Sequence, residues 1–297
     1  MNPIPIPARY NYIGIFLTFD CNLRCSYCIN NFERNLTKRF PLDGKAWVAA
    51  LNRIQSRPDL PVTLQGGEPT MHPDCIFIIN NLKPDLHIDV LTNLQFDIPA
   101  FIKRVDPQRI KRDAPYASIR VSYHPEQMKL PDTIERTLAL QRAGFSVGIW
   151  SVLHPRYEEH IRQAQKECLS LGIDFRFKDF LGEYNGKLYG SYKYAGACSH
   201  KPLKQVSCRT SELLVDPAGQ VYRCHHDVYE RSHPVGSLLD EGFLIADRFS
   251  PCSYFGCCNP CDVKIKTNRF QTFGHTSVDI RFEDQAEQLD ERRKLDE

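Results

Sequence analysis

No run of apolar residues in this sequence is long enough to span a bilayer. The segment Met1-Asn2-Pro3-Ile4-Pro5-Ile6-Pro7 has neither the basic cluster nor the apolar core of a secretion signal. A cytoplasmic protein without a membrane partner is expected from those absences. Dense basic runs are missing too, since 38 Lys and Arg against 36 Asp and Glu leave a net charge of +2 over 297 residues. Nucleic acid is therefore an unsupported partner. Composition is otherwise globular, 42% apolar and 25% charged, in a chain long enough for one large domain or about two ordinary ones. Cysteine is what the chain has in quantity, with 12 residues. In a reducing compartment these are poor candidates for structural disulfides, so metal or cluster ligation is expected.

Three of them fall within eight residues, Cys21-Asn22-Leu23-Arg24-Cys25-Ser26-Tyr27-Cys28, directly after the apolar run Tyr12 to Phe19. That run is short, aromatic and β-branched, and is bounded by Asn11 and Asp20, which predicts a buried strand with the cysteines on the loop leaving it. Thiolates spaced CxxxCxxC can converge on three corners of an iron-sulfur cube and leave the fourth iron open. A zinc knuckle or disulfide loop is the competing reading, but zinc sites bring paired CxxC halves and four closed ligands, which are absent locally. The spacing, with Tyr27 just before the last cysteine, resembles the signature of the radical S-adenosylmethionine (SAM) superfamily. The resemblance implies a [4Fe-4S] cluster on Cys21, Cys25 and Cys28 whose open iron chelates the amino and carboxylate groups of SAM, with Tyr27 beside the cofactor.

Strand-like stretches recur at about Leu60 to Gln65, His87 to Thr92, Ala117 to Tyr123, Phe145 to Val152 and Ile173 to Lys178. Helix-like segments lie between them, the clearest at Pro131 to Ala143, before Gly144, and at about Tyr157 to Leu171, before Gly172. The fold class is α/β. Counting strands does not separate a barrel from a doubly wound sheet; the family resemblance implies a partial (β/α)6 TIM-like barrel over residues 1–180. A bridging linker is expected at 181–207, a small cysteine-rich α+β domain at 208–274 and a charged solvated tail at 275–297.

The second strand ends in Gln65-Gly66-Gly67-Glu68-Pro69-Thr70. Paired glycines after a strand permit close backbone approach, and Glu68 can accept from an ammonium group. Alone this is an ordinary strand-to-helix turn, but one βα unit after the cysteine loop it is similar to the family's GGE motif, which holds the methionyl amino group of SAM. Ligands of α/β sheets gather at carboxyl strand ends. The resemblance therefore adds Asn93 and Ser122 as polar contacts to SAM and Val152 as an apolar contact to adenine; as a turn asparagine and a loop serine, the first two have equally ordinary readings. His124 and His154 stand just beyond strand ends without an assigned role. Tyr184, Tyr189, Tyr192 and Tyr194 give the linker four aromatics suited either to substrate stacking or to packing.

Cys208, ten residues, Gly219, four residues and Cys224 form a second pattern. Within it, Leu213 to Tyr222 predicts a β-hairpin turning at Pro217-Ala218-Gly219 that draws Cys208 and Cys224 together. A helix-like segment is expected from Ser237, before Cys252, Cys257, Cys258 and Cys261. The cysteine, glycine and cysteine spacing resembles the SPASM and twitch extensions of radical SAM enzymes, which hold auxiliary clusters. Cys75 and Cys168 fall in barrel helices and suit a small buried hydrophobe. Seven cysteines then remain, short of two four-cysteine clusters, and none follows Cys261. One twitch-type auxiliary [4Fe-4S] cluster is expected, on Cys208, Cys224, Cys258 and Cys261, with Cys257 able to replace Cys258 and a zinc ribbon as the competing reading. Cys198, Cys252 and Cys257 are left over, and Cys252 is the first choice for a thiol that returns hydrogen to a substrate radical, ahead of a ligand or buried role.

The expected activity is reductive cleavage of SAM to a 5'-deoxyadenosyl radical. That radical would take hydrogen from an unactivated C–H of a small polar substrate, sugar- or aminoglycoside-like, or of a peptide, giving epimerisation or two-electron oxidation. The partner supplying the electron would be a flavodoxin or ferredoxin. A maturase acting on a partner protein is the second reading, which a leader-binding extension would favour; none is visible in the sequence. A non-catalytic metal-binding module is the third.

Overall fold

The computed structural model describes residues 2–30, 40–201, 204–266 and 274–282. The chain opens with β1 (Ile4–Pro5) and β2 (Tyr12–Thr18), the latter buried from Ile13 onward, as a strand covered on both faces must be. Helix α1 (Gly44–Leu51), capped by Asp43 accepting from the Ala46 amide, leads to β3 (Ile54–Gln55), the parallel partner of β1, and to β4 (Val62–Gly66). Then come α2 (Cys75–Asn81), β5 (Ile88–Thr92), α3 (Ile98–Arg104), α4 (Pro107–Ile110) and β6 (Ile119–Tyr123). The parallel series ends with α5 (Leu130–Arg142), β7 (Val147–Leu153), α6 (Glu158–Ser170) and β8 (Phe175–Asp179). All six expected strands form, one or two residues from the expected bounds, and Cys75 and Cys168 are buried in α2 and α6.

Strands β2, β4, β5, β6, β7 and β8 are parallel and lie in sequence order across the sheet. The order never reverses, whereas a doubly wound sheet reverses at its switch point. The main core gathers here, from Ile13, Ile15 and Leu17 of β2 to Phe175 of β8. Asp89 of β5 is fully buried inside it, with its carboxylate on Arg112 Nε at 2.9 Å and Arg120 Nη2 at 3.2 Å. Removing that carboxylate would leave two guanidiniums unpaired. Asp89→Ala is expected to cost about 3–5 kcal/mol, read by chemical unfolding.

Residues 181–207, expected as a plain linker, contain a hairpin of β9 (Gly182–Tyr184) and β10 (Lys187–Tyr189). Asn185 and Gly186 make its turn with φ of 51° and 72°, the chemistry of a two-residue hairpin. After β11 (Lys204–Thr210), the strands β12 (Glu212–Val215) and β13 (Gln220–Tyr222) form the expected hairpin, pairing Leu214 with Tyr222. Strand β12 also runs parallel to β2, so Glu212 to Val215 extend the main sheet rather than standing apart from it.

Next follow α7 (His225–Glu230) and β14 (Gly236–Ser237), the latter at the sheet's edge. The helix expected from Ser237 is absent. Leu238 and Phe243 are the buried apolar residues of this stretch, and five residues apart on a helix they would diverge by about 140°, leaving no common face. Strand β15 (Ser250–Phe255), α8 (Pro260–Val263) and β16 (Val278–Phe282) complete the fold, with β11 between β15 and β16 in a three-stranded sheet. The expected tail thus begins later than residue 275, because Val278–Phe282 is paired; the run Asp284 to Glu297 lies outside the described residues. Among the described residues no helix is long and apolar enough to cross a membrane.

Candidate active site

A cavity of about 380 Å³ opens at the carboxyl ends of the parallel strands, where Cys21, Cys25 and Cys28 all line it. The cysteine loop is held by its stem. Gly67 N donates to Thr18 O at 2.9 Å and Glu68 N to Asp20 O at 2.7 Å. A Cβ at Gly66 would overlap the Thr18 carbonyl oxygen, and one at Gly67 that of Asp20. The close approach that demands these glycines is therefore to the backbone leading into the cysteine loop. Gly67→Ala is expected to cost about 1–3 kcal/mol by overpacking and to weaken SAM binding, checked by thermal unfolding and equilibrium dialysis.

Glu68 is buried and its carboxylate is largely occupied. Oε1 accepts from the Thr70 amide at 3.1 Å and the hydroxyls of Thr70 and Thr92 at 2.5 and 2.8 Å, and Oε2 from the Asn93 amide at 2.6 Å. Three donors crowd the two lone pairs of Oε1 while one reaches Oε2, so Oε2 keeps acceptor capacity. Burial raises the Glu68 carboxyl, opposed by those hydrogen bonds. Asn93 Nδ2 donates to Asn22 Oδ1 at 2.6 Å and approaches Cys21 Sγ at 3.8 Å, while Leu23 N reaches that sulfur at 3.4 Å.

Two N–H groups aimed at one sulfur suit a thiolate. Without a cation two of the thiols resist ionisation: burial raises Cys21, and burial, with Cys28 and Glu126 adding, pushes Cys25 up to about 12. A bound metal cluster would reverse that balance, so the donor chemistry fits a cluster at these three residues. Ser122 and Val152 line the same cavity, whereas Pro69 is buried in the turn behind it. Tyr27 packs on His154, ring centroids 4.8 Å apart, and its Oη lies 3.2 Å from His124 Nδ1. His124, pulled down to about 4 by burial, also lines the cavity.

The linker tyrosines are spent on packing. Tyr184 meets His154 edge-on, Tyr189 meets Phe180, Tyr192 Oη donates to Tyr189 O, and Tyr194 Oη accepts from the Ile280 amide. None of the four lines the cavity. The far wall comes instead from residues the sequence reading passed over: Arg120, Lys178, Glu212, His225, Tyr229, Lys264 and Lys266. The available signal was a charged residue within an expected strand, as at Arg120 and Lys178.

A second, smaller cavity of about 30 Å³ is lined by Cys208, Cys224, Cys252 and Cys258. The register explains the grouping. Cys208 of β11 sits opposite Ser250 of β15, so Cys252 is its diagonal neighbour on the same face. Their mutual influence raises Cys208 and lowers Cys252. Cys224 arrives from the end of the β12–β13 hairpin as the cap of α7, its sulfur accepting from the Asp227 amide at 3.4 Å. Cys261, grouped with Cys208 by spacing alone, instead lines the large cavity, and Cys252, set aside as a free thiol, joins the small one. Cys257 lines neither, and Cys198 is buried with its thiol on Cys258 O at 3.4 Å. Among the described residues no three His, Cys, Asp or Glu side chains converge as the ligands of a single metal ion do.

Residues 15–126 match the radical SAM superfamily. A segment of 82 residues, 26% of this chain, is 42% identical to PqqA peptide cyclase of Methylorubrum populi and covers 21% of that protein. Another of 76 residues, 25% of this chain, is 33% identical to molybdenum cofactor biosynthesis protein 1 of Homo sapiens and covers 12% of it. The chain thus matches about a fifth or less of these relatives' lengths. In fold it is similar to native anSMEcpe with bound AdoMet, at a TM-score of 0.52 and 15% identity over 80% of this chain and 79% of that one. It is also similar to Streptococcus suis SuiB bound to S-adenosylmethionine, at 0.53 and 16% over 81% and 64%. The span that matches the radical SAM superfamily contains the three cysteines of CxxxCxxC, Gly66-Gly67-Glu68, Asn93 and Ser122.

Proposed function

We propose that this protein is a SAM-cleaving radical enzyme. Its SAM-binding cluster is held by Cys21, Cys25 and Cys28 at the mouth of a partial (β/α)6 barrel built from β2 and β4 to β8. The observation that carries the reading is the convergence of three sulfurs, the free Glu68 lone pair and Asn93 on one cavity. When bound, the cluster and SAM supply a 5'-deoxyadenosyl radical after one-electron reduction. The chain's own residues do the positioning: Gly66 and Gly67 lock the cysteine loop to β4, Glu68 and Asn93 face the methionyl end, and Ser122 and Val152 line the path toward adenine. Flavodoxin or ferredoxin is the expected electron donor.

The small cavity is the proposed twitch-type auxiliary site, with Cys208, Cys224, Cys252 and Cys258 as ligands. Cys261 then inherits the role first given to Cys252, as a thiol facing the substrate cavity. A thiol there favours hydrogen return to a substrate carbon, hence epimerisation, over net oxidation. The substrate is a small polar molecule or a peptide, and the short similarity to PqqA peptide cyclase supports the peptide reading. The test is anaerobic reconstitution with iron and sulfide, then dithionite and SAM. 5'-Deoxyadenosine is expected at least about tenfold above a protein-free control; iron-loaded protein that makes none overturns the reading.

A further inference from the structure

The far wall of the large cavity carries more positive than negative charge once its ion pairs are taken out. His225 Nδ1 lies 2.8 Å from Asp262 Oδ1 and 3.8 Å from Glu212 Oε2, and Lys266 Nζ lies 2.9 Å from Glu212 Oε1. Two bases and two acids there balance each other. Burial would raise the Glu212 carboxyl, but Lys266 and His225 hold it below its ordinary range, and its Oε2 has no hydrogen-bond partner among the described residues. Arg120 shares the single carboxylate of Asp89 with Arg112, and its Nε has no hydrogen-bond partner among the described residues. Gln65 Nε2, on the same lining, is likewise a buried donor without an acceptor.

Lys178, on the last strand of the parallel series, and Lys264, just beyond α8, complete this wall. Neither ammonium has a carboxylate partner among the ion pairs of the described residues. Burial first, then Arg120 and Lys264, pull Lys178 down to about 7. The remaining acidic lining residues do not cancel them. Glu68 is committed to Thr70, Thr92 and Asn93 on the cysteine side, and Asp179 is exposed.

We propose that Lys178 and Lys264, with Arg120 behind them, form a subsite for a carboxylate of the substrate, so that the enzyme acts on an acidic molecule or an acidic residue of a peptide. This rests on the radical SAM reading of the same cavity. SAM has a carboxylate too, but its methionyl end belongs with Cys21, Cys25, Cys28 and Glu68, on the loops after β2 and β4. Lys178 lies on β8, four strand spacings from β4, or roughly 19 Å along the sheet at about 4.8 Å each. Arg120 is two residues before Ser122 on β6, roughly 6.6 Å deeper on the same face. Lys178 stands directly across from Val152, the residue placed at adenine, so the cationic pair lies at the adenine end of the cavity and away from SAM's own carboxylate.

Glutarate and its neutral isostere glutaramide serve as probes, measured by calorimetry on anaerobically reconstituted protein with SAM present. Glutarate is expected to bind at least about tenfold more tightly than glutaramide. Lys178→Gln with Lys264→Gln should remove that preference while SAM affinity stays within about twofold, and Lys178→Arg with Lys264→Arg should keep it. The proposal is overturned if glutarate has no advantage or if the glutamine variant retains it. It is equally overturned if the glutamine variant loses SAM affinity, which would assign the ammoniums to SAM's own carboxylate. Binding is read without turnover, so a protein that prefers glutarate but forms no 5'-deoxyadenosine retains the subsite and loses the radical reading.

Discussion

Alanine at Cys21, Cys25 and Cys28 together is expected to abolish 5'-deoxyadenosine formation and to lower bound iron and sulfide by about four each, leaving about four of each behind. The three sulfurs share one loop and one cavity, so their loss removes the thiols of that loop without touching the strands beneath. The loop's anchors are backbone bonds from Gly67 and Glu68 to Thr18 and Asp20, which the substitutions do not reach. Ser26 also remains tied to Glu126 through its hydroxyl at 2.8 Å. Unfolding should therefore occur near the wild-type temperature for protein freed of iron. Continued SAM cleavage by this variant would remove the cluster assignment. A variant binding no iron at all, or zinc alone, would remove the auxiliary cluster.

The sequence made the first half of the molecule readable because its signals are local. An apolar run bounded by polar residues is a buried strand wherever it sits, and six of these separated by helical periods leave little freedom. The Asn185-Gly186 turn was equally legible as a hairpin, but the absence of helical period around it drew the reading toward a linker. For the later cysteines, spacing and structure group the residues differently, for another reason. Spacing places Cys258 and Cys261 together as a CxxC pair, yet Asn259 caps α8 by accepting from the Cys261 amide at 2.9 Å, and the two cysteines flank that turn. Their side chains then serve different cavities. Cys252 reaches Cys208 through the pairing of β11 with β15, strands separated by some forty residues of sequence, and no motif encodes that register. The cationic wall was hidden likewise, since Lys178 and Lys264, 86 residues apart in sequence, line one cavity only in the folded chain.

That register supplies the second large effect. Cys252→Ala is expected to lose the auxiliary cluster, about four irons per chain, while Cys261→Ala keeps it. The reason is the face each sulfur occupies: Cys252 lies on the side of β15 that meets Cys208, with Cys224 and Cys258 completing four sulfurs around one space. Cys261 lines the large cavity with Lys264, Lys266 and Glu212, and burial, opposed first by Lys264, pushes its thiol up to about 11. A thiol kept protonated retains the S–H hydrogen that a substrate radical would take. The Cys261→Ala protein should therefore hold its full iron and still cleave SAM, yet fail to return hydrogen to the substrate carbon, so that product from acidic substrate disappears or emerges oxidised. The pair of variants separates the roles in one iron assay. If Cys261→Ala loses about four irons and Cys252→Ala keeps them, the spacing-based ligand set is right and the thiol facing the cavity is a cluster ligand; if both lose iron, neither sulfur is free to donate.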